Sequence, residues 1–261
     1  MTHLSYRRTG DGLPILLLHA MPLDSTMFDT VRDRLDSALT VDCPGFGASP
    51  PAADIDRAFG ADSPSLDTVA QAVIEDLAEL GIDQCILAGL SMGGAIAMAI
   101  LERAPHIAAG VILMDTNIGA DTEDARATRL TAAEKADQGD ASSVMVMAET
   151  MTSEKTKRDR PAVLRDLTDR LSRVEPSSLA WAQRAMAARP DRRSLIETLE
   201  VPLLLARGDA DPSCTADMMA GLAQRYPGSA SVETIAGAGH FTALETPDDL
   251  ASLLAQFSRS Q

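Results

Sequence analysis

Short apolar runs bounded by turn residues alternate along the chain with segments whose apolar positions recur every three or four residues. Parallel strands buried on both sides read as continuous apolar runs, so this alternation predicts an α/β fold: a mostly parallel sheet with helices on both faces. Strands are expected at residues 14–18, 39–42, 85–88, 111–114, 201–206 and 232–235. Between the second and third of these, Leu66, Val69, Ala70, Val73, Ile74, Leu77 and Leu80 repeat at helical spacing, with Ser65 as N-cap and Gly81 as the stop. That segment is a crossover helix between parallel strands.

Two stretches depart from the alternation. Residues 84–101 carry no charge and reach the lower length limit of a membrane-spanning helix. Three glycines and Ser91 interrupt them, however, and a buried strand followed by a buried helix has the same composition, so no membrane span is expected. Residues 117–199 show helical periodicity and no convincing strand, which predicts a helical insertion between core segments 1–116 and 200–261. The insertion holds 14 basic and 14 acidic residues, leaving the whole formal charge of −15 on the remainder. Its basic residues read as a solvated helical face, with the alternative that one of them meets an anionic group of a substrate. Met145, Met147, Met151 and Met186 lie there too, as ordinary helix packing or as an adaptable pocket roof.

Composition narrows the partners. With 45% apolar residues the 261-residue chain buries a real core, and its acidic balance opposes the counterion release that drives non-specific nucleic-acid binding. Cys43, Cys85 and Cys214 are far apart with no histidine at metal spacing, so neither a metal site nor a disulfide framework is expected. A reducing cytoplasm fits them, and the apolar stretch after Arg7 and Arg8 is too short for a signal peptide. Oligomeric state is not legible.

The strongest chemical signal is Gly89-Leu90-Ser91-Met92-Gly93-Gly94, placed directly after one expected strand and before an apolar helix. Gly-x-Ser-x-Gly in that context is a sharp turn that projects the serine Oγ above the sheet and needs small neighbours where strand and helix nearly touch. The N–H of the next residue, at the helix N-terminus, points at a developing oxyanion. The glycine spacing does not fit a dinucleotide fingerprint, and no lysine follows to complete a phosphate loop.

A serine nucleophile needs a base, and the chain has four histidines. His3 falls in an N-terminal segment expected to fray, His106 follows Pro105 at a helix end, and His19 ends a strand well upstream. His240 stands in Gly237-Ala238-Gly239-His240-Phe241, a loop able to turn tightly and present an imidazole. Its orienting carboxylate is expected to be Asp211, closing Gly208-Asp209-Ala210-Asp211-Pro212, with Asp209 and Asp115 as competitors.

The order Ser91, Asp211, His240 is that of an α/β-hydrolase triad, and the whole chain resembles that superfamily. His19-Ala20-Met21-Pro22 resembles the family's His-Gly-x-Pro segment, with Ala20 where glycine is usual. Residues Asp42-Cys43-Pro44-Gly45-Phe46-Gly47-Ala48-Ser49 resemble its Asp-x-x-Gly-x-Gly-x-Ser loop. The resemblance implies an α/β-hydrolase core with residues 117–199 as a helical cap, and an oxyanion hole made by the backbone N–H groups of Met21 and Met92. It also implies that His19 organises its turn. A serine at position 91 disfavours epoxide and haloalkane chemistry, for which relatives use aspartate.

Within the superfamily the chain looks most like enol-lactonases and carboxylesterases. The expected function is therefore hydrolysis of a small carboxylic ester or lactone through an acyl-enzyme, without cofactor. Carbon–carbon bond hydrolases and cofactor-free peroxidases share the triad and stay as alternatives, although peroxidase-like members often carry an aromatic residue where Met21 stands. A ligand-binding receptor on the same scaffold is the alternative outside enzymes. Activity is expected to fall on the acid side with a midpoint of about 6.5, the ordinary histidine value.

Overall fold

The computed structural model describes residues 2–260. Seven strands form one sheet in the order β1-β3-β2-β4-β5-β6-β7: β1 (Ser5–Thr9), β2 (Ile15–Leu18), β3 (Ala38–Asp42), β4 (Cys85–Leu90), β5 (Ala108–Met114), β6 (Leu203–Gly208) and β7 (Ser231–Ile235). β1 runs antiparallel to β3 and every other neighbouring pair is parallel. Every residue of β2, β3, β4 and β6 is buried, as expected for strands covered on both faces. Helices Leu66–Glu79 and Met92–Arg103 supply much of that cover, and Ser65 caps the first by accepting from Asp67 N at 3.1 Å.

β1 was not expected. Its sequence, Ser-Tyr-Arg-Arg-Thr, is polar and only half-buried, because an antiparallel edge strand has no need of a continuous apolar run. The preceding residues are also held: the carboxylate of Asp76 accepts from the backbone N–H groups of His3, at 2.6 Å, and Leu4, at 2.9 Å. The expectation of a frayed segment around His3 is corrected accordingly. β6 begins at Leu203 rather than at residue 201, since Pro202 has no N–H to donate and gives only its carbonyl, to Val111 N.

Residues 84–101 form β4, the turn at Ser91 and most of helix Met92–Arg103; among the described residues no helix is long and apolar enough to cross a membrane. Between β5 and β6 the chain forms helices Glu123–Asp137, Val146–Thr150, Glu154–Asp159, Pro161–Leu171 and Pro176–Ala188, with no described strand among them. The first and last of these helices pack against each other.

Strand order reverses at β2. The chain passes from β2 to β3 on one side, then crosses back to lay β4 on the other. At such a switch point the loops leaving the carboxyl ends of adjacent strands diverge and open a crevice. The segment after β2 carries Met21 and the turn after β4 carries Ser91.

Candidate active site

Ser91 sits between β4 and helix Met92–Arg103 with φ 54° and ψ −112°, a conformation that L residues rarely adopt and that surrounding structure must hold in place. Its N–H donates to Met114 O of β5 at 2.9 Å, and Thr116 Oγ1 donates to its carbonyl at 2.6 Å. The flanking glycines are dictated by contact: a Cβ on Gly93 would run into the Leu18 carbonyl, and one on Gly89 into the backbone of Gly93 and Gly94. Met92 N–H opens the helix, so it has no acceptor one turn back within it.

His240 Nε2 lies 3.0 Å from Ser91 Oγ, and His240 Nδ1 lies 2.9 Å from Asp211 Oδ2. A carboxylate beside Nδ1 favours the Nδ1–H tautomer, leaving Nε2 to accept from the serine hydroxyl. Burial by itself pushes the His240 imidazole down, but the hydrogen bond and charge of Asp211, with Asp115 and Glu245 behind it, outweigh burial and hold it above the ordinary histidine value. On Asp211 burial works upward, and His240 and Ser213 overcome it, holding the carboxyl below its usual range. The same balance moves the expected acid limb to above the unperturbed 6.5.

The two competing carboxylates are engaged elsewhere. Asp209 is exposed and accepts from Gly237 N at 2.9 Å, closing the loop that leads to His240. Asp115, itself at φ 47°, accepts from Gly208 N at 2.7 Å and Thr242 Oγ1 at 2.6 Å. Its burial pushes the carboxyl strongly upward, with the charge of Asp211 adding to the effect. Asp115 therefore joins the loops that carry Asp211 and His240 without bonding the imidazole.

His19 is fully buried, and its Nε2 accepts from Cys43 N at 2.9 Å while Nδ1 meets Ala20 O at 3.1 Å. Burial lowers its pKa, so it stays neutral and ties the loop after β2 to the loop after β3. Ala20 lies outside the left-handed region, so glycine's extra freedom is not required there. In the second of these loops the Asp42 carboxylate accepts from Ser25 N and Ala48 N. His106 is exposed on the turn Pro105–Ile107, away from this cluster.

A cavity of about 440 Å³ opens over Ser91, walled on one side by Met21, Met92, His240 and Ser213 and on the other by the helices between β5 and β6. Met147, Met151 and Met186 line it; Met145 is partly buried but packs against the core instead. Reading the sequence did not reveal Ser213, whose Oγ lies 2.8 Å from Asp211 Oδ1 and 2.9 Å from His240 Nδ1. The signal was present, since an aspartate often accepts from the residue two positions on, and Ser213 N does donate to Asp211 at 2.8 Å. Glu245 was also missed. Fully buried, it accepts from Gly239 N in the histidine loop and from Ser153 N in the insertion, each at 2.9 Å. His240 N donates to Met151 O at 2.8 Å, a second tie between loop and insertion.

Fold and site together define an α/β protein with a serine at a strand-to-helix elbow, hydrogen-bonded in line to a histidine and a carboxylate. The chain belongs to the alpha/beta hydrolase family, whose model matches residues 15–253. It is 30% identical over 274 residues to the AB hydrolase superfamily protein YisY of Bacillus subtilis, covering 96% of this chain and 93% of that one. It is 26% identical to Esterase Rv0045c of Mycobacterium tuberculosis, over 96% of this chain and 85% of the other. A thermophilic esterase from Thermogutta terrifontis, solved with malate bound, superposes with a TM-score of 0.91 at 29% identity, over 98% of this chain and 93% of that one.

Proposed function

We propose that the protein is a serine hydrolase that cleaves a small carboxylic ester or lactone. The observation that carries this reading is the continuous line Ser91 Oγ, His240 Nε2, His240 Nδ1, Asp211 Oδ2, with steps of 3.0 and 2.9 Å, beneath a cavity large enough for a small substrate. Likeness to proteins named esterases, at 26% and 29% identity, supports it.

In this reading Ser91 Oγ attacks the substrate carbonyl carbon as its proton passes to His240 Nε2. The carbonyl oxygen takes up the displaced electron pair between the N–H groups of Met92 and Met21, the first reinforced by the helix dipole. The C–O bond to the leaving group then breaks, and Nε2–H protonates the departing oxygen. Water repeats the sequence on the acyl-enzyme and releases the acid. Asp211 is the acid partner rather than Asp115, because its carboxyl is held low and faces Nδ1, whereas burial keeps that of Asp115 high. The helices between β5 and β6 act as a cap that shapes the pocket.

The test is steady-state turnover of a series of short-chain 4-nitrophenyl esters and small lactones across pH. The wild type should turn over many times per site, with an acid limb whose midpoint lies above the ordinary histidine value of about 6.5, because the base works only when neutral and its neighbours hold its proton on. Equal turnover by Ser91→Ala, or a profile flat down to pH 4, would contradict the reading.

A further inference from the structure

The cavity wall opposite the triad is mainly methionine, alanine and valine, with neutral polar groups from Thr128, Ser143 and Gln183 and a single charged side chain. Ala125, Thr128, Arg129 and Ala132 present one face of helix Glu123–Asp137 to it, and among the described residues Arg129 is the only Lys, Arg, Asp or Glu in the lining. Its guanidinium is fixed in place: Nε donates to Asp121 Oδ2 at 2.7 Å and Nη1 to Gln183 Oε1 at 3.1 Å. Nη2 carries no hydrogen bond to any described residue, and the side chain keeps 24% of its surface exposed.

The charge is as unbalanced as the hydrogen bonding. Asp121 also accepts from Arg189 Nη2 at 2.6 Å, so one carboxylate serves two guanidiniums and a positive charge is left over. Arg189 shows what a purely structural arginine looks like in this fold. Nearly buried, it spends Nε on Gly119 O, Nη1 on Met186 O and Nη2 on Asp121. Arg192 is held by two carboxylates, Nε donating to Glu102 and Nη2 to Glu102 and Asp67, so its charge is balanced. Arg129 alone of the three faces the cavity with donors to spare. A cation beside a pocket of methionines and alanines interacts strongly with an anion, since little water competes there.

From this geometry we infer, resting on the acyl-transfer reading above, that the preferred substrates are esters or lactones bearing a carboxylate remote from the scissile bond, and that Arg129 receives it through Nη2. A single negative charge matches the single positive excess. Asp121 and Gln183 are positioning residues that hold the guanidinium plane toward the cavity. The remaining negative charge of the chain lies on the core, so recognition of an anion has to be local to the insertion.

The experiment compares a matched pair of substrates, mono-4-nitrophenyl glutarate and 4-nitrophenyl pentanoate, whose acyl chains have equal length and differ in a terminal carboxylate or methyl. In the wild type the glutarate ester should have the lower KM, and its advantage should shrink as ionic strength rises. The ratio of kcat/KM for glutarate over pentanoate should fall about tenfold in Arg129→Gln, the usual worth of one charged hydrogen bond, and recover in part in Arg129→Lys. The wild-type salt dependence keeps the test decisive if the glutamine variant does not fold. A ratio that is unchanged in both variants, or a wild type that prefers the pentanoate ester at every salt concentration, overturns the inference and leaves the hydrolase reading standing. If the wild type hydrolyses neither ester nor any other member of the series, both fall together.

Discussion

The two walls of the cavity are built on different principles. On the core side the groups that position Ser91 are tied to backbone or to buried side chains: Met114 O and Thr116 hold the elbow, Asp115 joins the loops after β6 and β7, and His19 joins those after β2 and β3. Glycines at 89 and 93 let strand and helix approach so closely that no larger residue fits. On the other side the lining is mainly Met147, Met151, Met186, Val144 and alanines, side chains that repack easily, beside the neutral polar Thr128, Ser143 and Gln183, with Arg129 as the one oriented charge. On the proposed function, the contrast assigns to the core side whether acyl transfer occurs and to the helices between β5 and β6 on what it acts. Substitutions on the first wall should abolish activity, and those on the second should redistribute it.

The largest effect should come from the core wall. Ser91→Ala is expected to lower kcat on the order of 10⁵-fold or more, measured as ester turnover, with little change in thermal stability since only one hydroxyl is lost. Next, Asp211→Asn should cost roughly 10³- to 10⁴-fold in kcat, because an amide favours the wrong tautomer of His240 while keeping the volume. Retention of near wild-type rates by this variant would move the acid role to Asp115 and break the comparison.

At the seam between the walls a smaller, mixed effect is expected. Glu245→Ala leaves the N–H groups of Gly239 and Ser153 without their shared acceptor, at a cost of about 3 kcal/mol in urea unfolding, and kcat should fall with it because Gly239 precedes His240. A loss of stability with unchanged kcat would show that the histidine loop holds its place without the insertion. The smallest effect belongs to the insertion wall: Met147→Ala should change KM only about two- to fivefold and in opposite directions for short and long acyl chains, since it enlarges the pocket without touching the triad. A fall in kcat of several orders of magnitude there would erase the distinction between the walls.

The same contrast explains what was legible in the sequence. Strands β2 to β6 announce themselves because burial on both faces demands continuous apolar residues, and the elbow announces itself because its close contact demands glycine. β1 hides because Ser5, Arg7 and Arg8 face partly into solvent, and the first residues of β5, Ala108, Ala109 and Gly110, carry no apolar signal of their own. The pairing of His240 with Asp211 and Ser91 follows from loop positions that recur with the fold. By contrast, Glu245 finds its partner Ser153 across 92 residues, and Arg129 is one of 14 basic residues in the insertion, distinguished only by where its helix turns. Contacts of this kind join side chains far apart in the sequence and leave no local pattern.

The central claim is that Ser91 is a nucleophile activated by His240, and the most direct measurement is covalent labelling by a fluorophosphonate, located by peptide mass spectrometry. Wild-type protein should be modified at Ser91 with loss of fluoride, at a rate that rises with pH through a midpoint above about 6.5, and both Ser91→Ala and His240→Ala should remain unlabelled on that timescale. Folded wild type that stays unlabelled, or label carried by a residue other than Ser91, would contradict the account.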